Sequence, residues 1–433
     1  MIKEQSVSIN GHDTCIKLLG FICDAPARSF PKGTVSHNAF YACERCKVKG
    51  EYHNNLCFLD MNAPVRSNTD FVLFQSEISE EFNETVSSHI KCCSPLLGVV
   101  DLVTDFPLDC MHLIYLGVMR RLLKFWTSRI PHKLPRYIIS AIDDGLAVLE
   151  SEAPTEFSRK PRSLKFIDRF KATEFRTFLL YTGPLVCKGK LPRKQYEHFL
   201  LLHSAVKGLV MHDQVSSSKL EEISECFYAF IKYGIELYGK SFVTYNVHNV
   251  IHVCDDYVRH GSLDGYSAFP FESFLGSLKR FIRTNHKPLQ QVRNRIEENI
   301  PIFKRSLKKA VSLSHYDSAV SAHKQLSTSG LYLNETPRNC WFYGLDKATY
   351  MFKFAKQIGN EVFIYCHKVL AVKEFYSYPI PSTNNGIFII TKTSDKLSEV
   401  RLSQVGGKCA LFTINEQKIC CKLHSIDPNG KID

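Results

Sequence analysis

Thr14-Cys15-Ile16-Lys17-Leu18-Leu19-Gly20-Phe21-Ile22-Cys23 runs straight into Asp24-Ala25-Pro26. An apolar run of strand length that stops at an aspartate and a Pro turn reads as a central strand delivering a carboxylate to its C-terminal end. A strand is rigid and its end opens to solvent, so a carboxylate there suits a hard divalent cation such as magnesium. Asp24 capping the turn before Pro26 is the competing reading.

The rest of the chain gives this strand a setting. Of 433 residues, 44% are apolar and 23% charged, the balance of a globular protein with two or three cores. Lys and Arg total 55 against 43 acids, a formal charge of +12, which attracts polyanions, nucleic acid foremost. No run of eighteen apolar residues occurs, so no membrane span is expected. Met1-Ile2-Lys3-Glu4-Gln5 opens no apolar signal segment, so the sixteen cysteines are read as mostly reduced.

Four stretches follow from periodicity. Residues 1–105 hold the strand, a Cys-rich loop and a mixed segment with short helix. Residues 106–310 read as mostly helical, with helices over 112–126, 196–211 and 219–238, the last stopped by Gly239. A further helix begins near Phe269-Pro270 and runs past Arg283. Residues 311–338, rich in Ser and His, read as a linker. Residues 339–433 read as a small β-barrel or sandwich, with strands over 360–376, 386–392, 400–402, 408–413 and 419–424.

Three further patterns could carry chemistry. Cys43-Glu44-Arg45-Cys46 supplies half of a tetrahedral metal site, and His248 and His252, four apart on one helix face, could complete it. His53 and Cys57 are rival ligands nearer in sequence, and two unrelated pairs would look the same. Asp109-Cys110-Met111-His112 reads either as a helix cap with a first-turn neighbour or as part of a site. Glu272 stands in an aromatic first turn, and Lys279, Arg280 and Arg283 follow near its face. That arrangement suits chemistry on a phosphate backbone, or is a dipole glutamate before a solvated charged face.

In order, these pieces (strand-end Asp, CxxC, DxxH, HxxxH, Glu) resemble the catalytic core of eukaryotic DDE transposases of the CACTA/Mirage/Chapaev group, itself similar to the V(D)J recombinase core. Longer blocks carry the likeness: Cys23-Asp24-Ala25-Pro26-Ala27, Phe106-Pro107-Leu108-Asp109-Cys110-Met111-His112-Leu113, Phe170-Lys171-Ala172-Thr173-Glu174-Phe175-Arg176, Tyr245-Asn246-Val247-His248 and Ser267-Ala268-Phe269-Pro270-Phe271-Glu272. The resemblance spans roughly residues 10 to 300.

It implies an α/β plus α architecture: a partial RNase H-like core with a large helical insertion, followed by the small all-β domain. It implies cut-and-paste chemistry, in which three acids hold two Mg2+ ions for DNA nicking and strand transfer. Asp24 and Glu272 match the second and third acids. Cys43, Cys46, His248 and His252 match structural Zn2+ ligands, and Asp109 and His112 a signature near the active site. Lys279, Arg280 and Arg283, the basic stripe beyond Glu272, are the DNA-binding candidates on their charge alone. DNA as partner, a homo-oligomer and a nuclear location follow as expectations.

The first acid of the family has no counterpart, since Glu4 and Asp13 are the only acids before Asp24 and neither stands on a matching strand. The expectation is an N-terminally truncated core, inactive or nearly so, from a shortened element, an incomplete gene model or a domesticated remnant. Two rivals remain: a non-catalytic zinc-stabilised DNA- or chromatin-binding protein, and a zinc hydrolase in which Asp109 or His112 joins the metal.

Overall fold

The structure, a computed structural model, describes residues 4–9, 12–76, 88–211, 214–306, 311–328 and 330–424. It is mixed helix and sheet with an all-β C-terminal domain. Residues 1–139, 167–179 and 188–268 form one unit, and residues 140–166, 180–187 and 269–433 the other.

In the first unit, β1 (Glu4–Ile9) and β2 (His12–Lys17) form an antiparallel hairpin. The expected strand over 14–23 therefore stops at Lys17, and among the described residues β2 pairs with β1 alone, so it is not a central strand. The reason lies in how the apolar run is buried. Leu18 and Phe21 pack into a cluster built on Phe71, Ile90, Leu102 and Phe106, and Phe21 stacks on Phe106 at 4.9 Å. The Phe21 amide is satisfied by the Asp105 carbonyl at 2.8 Å rather than by a sheet neighbour. Gly20 permits the approach, because a Cβ there would lie 2.8 Å from the Asp105 oxygen. Only Cys23 keeps strand-like pairing, a parallel bridge to Leu108.

Asp24 then caps the helix Ala25–Lys32, and a small hairpin of β3 (Glu51–Tyr52) and β4 (Leu56–Cys57) follows. The expected helix over 112–126 forms, but in two modes. Met111–Met119 is π-helical and continues as an α-helix over Arg120–Thr127. Gly117 sits in the π turn, where an added Cβ would lie 2.6 Å from the Asn246 side-chain nitrogen.

The helices Arg193–Met211 and Ser217–Tyr238 match expectation closely. Ser216 caps the second, and Gly239 ends it at a φ of 78°. Gly208 against Ile223 and Gly234 against Phe242 leave no room for a Cβ, which lets these segments approach closely. Trp126, Phe199, Phe230 and Phe242 fill the space between, and the Trp126 indole donates to the Tyr238 hydroxyl at 3.0 Å.

The second unit corrects the linker. Residues 311–338 carry β5 (Ser312–Asp317), β6 (Ala322–Ser327) and β7 (Tyr332–Asn334), with Leu326 and Leu333 fully buried. Alternating Ser, His and Leu is a half-buried strand pattern that a composition reading mistakes for a linker. The remaining strands are β8 (Trp341–Gly344), β9 (Thr349–Ile358), β10 (Glu361–Glu374), β11 (Ile387–Arg401), β12 (Val405–Ile414) and β13 (Gln417–Lys422). The runs over 386–392 and 400–402 are thus one strand, and β8 and β9 were not anticipated. Antiparallel pairing follows the order β8, β9, β10, β11, β13, β12 and returns to β8, a closed six-stranded barrel with β6, β5 and β7 appended. Closure leaves these six strands no free edge. Trp341, Phe342, Phe352, Ile364, Cys366, Cys409 and Cys420 fill the core. Residues 425–433 of the expected β domain lie outside the described residues.

Candidate metal centre

The two motifs are brought together across the length of the first unit. Cys43 and Cys46 stand on a turn after Tyr41. His248 lies in the short helix Tyr245–Asn249, and His252 ends the 3-10 turn Val250–His252 that prolongs it. All four are buried, and one ligand atom from each lies within 4.8 Å of the others. Cys43 Sγ is 3.5 Å from Cys46 Sγ and 3.7 Å from His252 Nε2, and Cys46 Sγ is 3.2 Å from His248 Nε2. A tetrahedral zinc would place S–S pairs about 3.8 Å and S–N pairs about 3.6 Å apart. The group has that size and could hold a metal such as zinc.

Its surroundings fit the same role. The Arg45 and Cys46 amides donate to Cys43 Sγ at 3.5 and 3.4 Å, fixing the turn around the sulfur. His248 Nδ1 donates to the Phe58 carbonyl at 3.1 Å, which leaves Nε2 as the ligand atom. Burial would raise the Cys43 thiol, but hydrogen bonds from Cys46, His248 and His252 outweigh it and hold it well below 9. Cys46, bonded to that sulfur, is pushed up instead. A dication bound there would supply the field that releases this second proton.

Charged side chains inside and around the CxxC turn anchor it. Arg45 donates to the carbonyls of Val103 and Phe106 and pairs with Asp256 at 2.5 Å, and Asp256 also accepts from the Leu108 amide at 2.7 Å. Glu44 pairs with Lys32 in a fully buried bridge. Burial alone would raise the Glu44 carboxyl, yet the Lys32 ammonium holds it at about 2. Burial lowers Lys32 to about 8. Arg66 Nε donates to the Cys43 carbonyl at 2.9 Å. Sequence reasoning did not single out Arg45, Lys32, Arg66 or Asp256. Only the position of Arg45 within CxxC was a signal.

The rival ligands are excluded by position. Cys57 Sγ donates to the Asn55 carbonyl at 3.2 Å, and His53 pairs with Glu51 at 3.1 Å. Asp109 and His112 also fall outside the metal group. Their carboxylate and Nδ1 meet at 2.6 Å, and Asp109 further accepts from the amides of Met111, His112 and Ala268. The cap reading of Asp109 is therefore correct locally, and it reaches further by tying down Ala268. A metal held by all four would have no open position, which the hydrolase reading needs.

Asp24 accepts from the Ala27 amide at 2.7 Å as a helix cap. An isolated parallel bridge joins Cys23 to Leu108, the residues that precede Asp24 and Asp109. Arg28, buried below, donates to the Cys23 carbonyl at 3.1 Å, while its Nε and Nη1 have no partner. Glu272 belongs to the second unit and is exposed, in the first turn of the helix Phe269–Phe281. Lys279 and Arg280 end that helix, exposed and favourably placed at its negative pole. Arg283 is in the following loop rather than on the helix, because the chain turns there and Gln291 accepts from its amide at 2.9 Å.

The class that emerges is a mixed α and β protein with a buried Cys2His2 group in a largely helical unit and a β-barrel in the other. A family described as a domain of unknown function (DUF8592) matches residues 311–423, the barrel with its appended strands. No curated protein matches the chain.

Proposed function

We propose that this chain is a transposase-derived DNA-binding protein whose helical unit is held by a structural zinc. The carrying observation is the union of Cys43 and Cys46 with His248 and His252 at metal-ligand spacing, across some two hundred residues. Two common motifs rarely meet by chance in one buried group. Their meeting supports the ordered resemblance that paired them, and with it a relation to RNase H-like DDE cores.

Asp24 and Glu272 stand where the resemblance puts the second and third acids of a two-Mg2+ site, and Asp24 accepts from the Ala27 amide as a helix cap. On this reading the polypeptide binds duplex DNA through Lys279, Arg280 and Arg283 without cutting it, works in the nucleus and acts as a homo-oligomer. The alternative, a non-catalytic chromatin-binding protein of transposon origin, shares the zinc and the DNA affinity.

Duplex binding followed from low to physiological salt tests the proposal. Affinity should fall linearly with log salt, and replacing Lys279 or Arg280 with Gln should reduce the slope by about one each. No affinity at low salt would overturn both readings, and Mg2+-dependent nicking would overturn the inactive version.

A further inference from the structure

The outer face of the barrel carries aromatic rings where polar residues are the rule. β9 has a bulge opposite Tyr365 and Cys366, where Tyr365 pairs with Phe354 and Cys366 with Phe352. Before the bulge Phe352 points into the core and is 1% exposed. After it, Ala355 takes the inward place, and Phe354, of the same parity as Phe352, is turned out. Bulges re-aim side chains in this way, commonly beside functional sites.

The register then lines up two rows on that face. Lys356, Phe363 and Arg401 form one row, and Phe354, Tyr365 and Glu399 the next. Phe354 and Tyr365 stack at 4.8 Å, with the Lys356 ammonium 5.6 and 5.8 Å from the two ring centres. The Arg401 guanidinium lies 5.8 Å from the Phe363 ring. The two acids nearby are engaged, Glu399 by the Tyr365 hydroxyl and Glu361 by Arg401 at 3.8 Å. What faces outward is three half-buried rings flanked by Lys356 and Arg401, with the carboxylates of Glu361 and Glu399 beside them.

We propose that this face of β9, β10 and β11, built on Phe354, Phe363, Tyr365, Lys356 and Arg401, binds single-stranded nucleic acid. Rings take bases by stacking whatever their sequence, and flanking cations take the phosphates. Rows two residues apart are about 7 Å apart along a strand. The rise of a stacked DNA strand is about 3.4 Å, so bases on successive rows must be unstacked, which excludes a duplex and suits an extended single strand. The surface is separate from the duplex contacts proposed above and does not depend on them.

The test uses the full chain, fluorescein-labelled oligo(dT) of about 20 nucleotides, and a duplex of equal length, read by anisotropy at one salt concentration. Phe354→Ala with Tyr365→Ala should weaken oligo(dT) binding by at least about tenfold and leave duplex affinity within about twofold. Lys356→Gln with Arg401→Gln should weaken it severalfold and flatten its salt dependence. An unchanged melting temperature in the second pair, whose side chains are at the surface, separates binding from folding. Failure of the wild type to bind oligo(dT), unchanged binding in both variants, or equal loss of duplex binding would each overturn the proposal. Loss of oligo(dT) binding in the variants of a protein that never bound duplex would sustain it and sink the duplex reading alone.

Discussion

Stripping the metal from the Cys43, Cys46, His248 and His252 group should cost the first unit most of its stability. Cys43 and His252 are separated by 209 positions. Treated as a cross-link closing a loop of that length, the clasp contributes roughly 5 kcal/mol of chain entropy. Whole domains are stable by only about 5–15 kcal/mol. The two tryptophans make the outcome readable by unit, since Trp126 lies in the first and Trp341 in the second, both buried. In a Trp341→Phe background, a zinc chelator should shift Trp126 emission to the red and lower the first melting transition by many degrees. In a Trp126→Phe background, Trp341 should report a barrel that still melts in place. Cys46→Ser should mimic the chelator, and the purified protein should carry about one zinc per chain. Metal-free protein whose Trp126 transition is unmoved by chelator would refute the reasoning, because the four side chains would then be a packed polar cluster and nothing more.

Other expectations follow from single contacts. Gly117→Ala puts a Cβ 2.6 Å from the Asn246 amide nitrogen and 2.9 Å from the His112 carbonyl. It should cost about 1–3 kcal/mol by urea unfolding, and adding Asn246→Ala should recover only part, since the backbone clash stays. Arg45→Met leaves Asp256 buried without its cation and should cost about 3–5 kcal/mol. Arg45→Met with Asp256→Leu should be closer to wild type, and equal losses in the single and double variants would count against the ion pair. Burial pushes His198 and His203 down to about 3 from 6.5. Both are neutral in the fold, so the unfolded chain binds protons first as pH falls. Stability should therefore be full above pH 6.5 and drop toward pH 3, by about 1.4 kcal/mol per unit for each histidine. Urea midpoints across that range check this, and a slope unchanged in His203→Gln would disprove the share assigned to His203.

Much of the architecture was legible because it is local. The helix over 219–238 has a Ser cap, an apolar period and a stopping Gly within one stretch, and these act on neighbours along the chain. Among the C-terminal strands β10, β12 and β13 were legible for the same reason, with ends displaced by a few residues, whereas β11 was read as two runs and β8 and β9 not at all. The apolar run at 14–23 was misread because an extended segment buried by side chains has the composition of a strand, and only the Asp105 carbonyl and the Phe106 ring decide between them. The Ser- and His-rich segment at 311–338 was misread because its strands are held by partners in the barrel.

The metal group marks the boundary most clearly. Chain spacing alone determined that Cys43 and Cys46 could share one metal, and that His248 and His252 could share one face, since those are distances of a turn. It left open whether the pairs belong together and whether His53 or Cys57 intervenes. That choice depends on which segments the core packs against one another, through Arg45 to Asp256 and His248 to the Phe58 carbonyl. The outward turn of Phe354 is of the same kind. Its parity puts it in the core, and a bulge set by the neighbouring strand puts it outside.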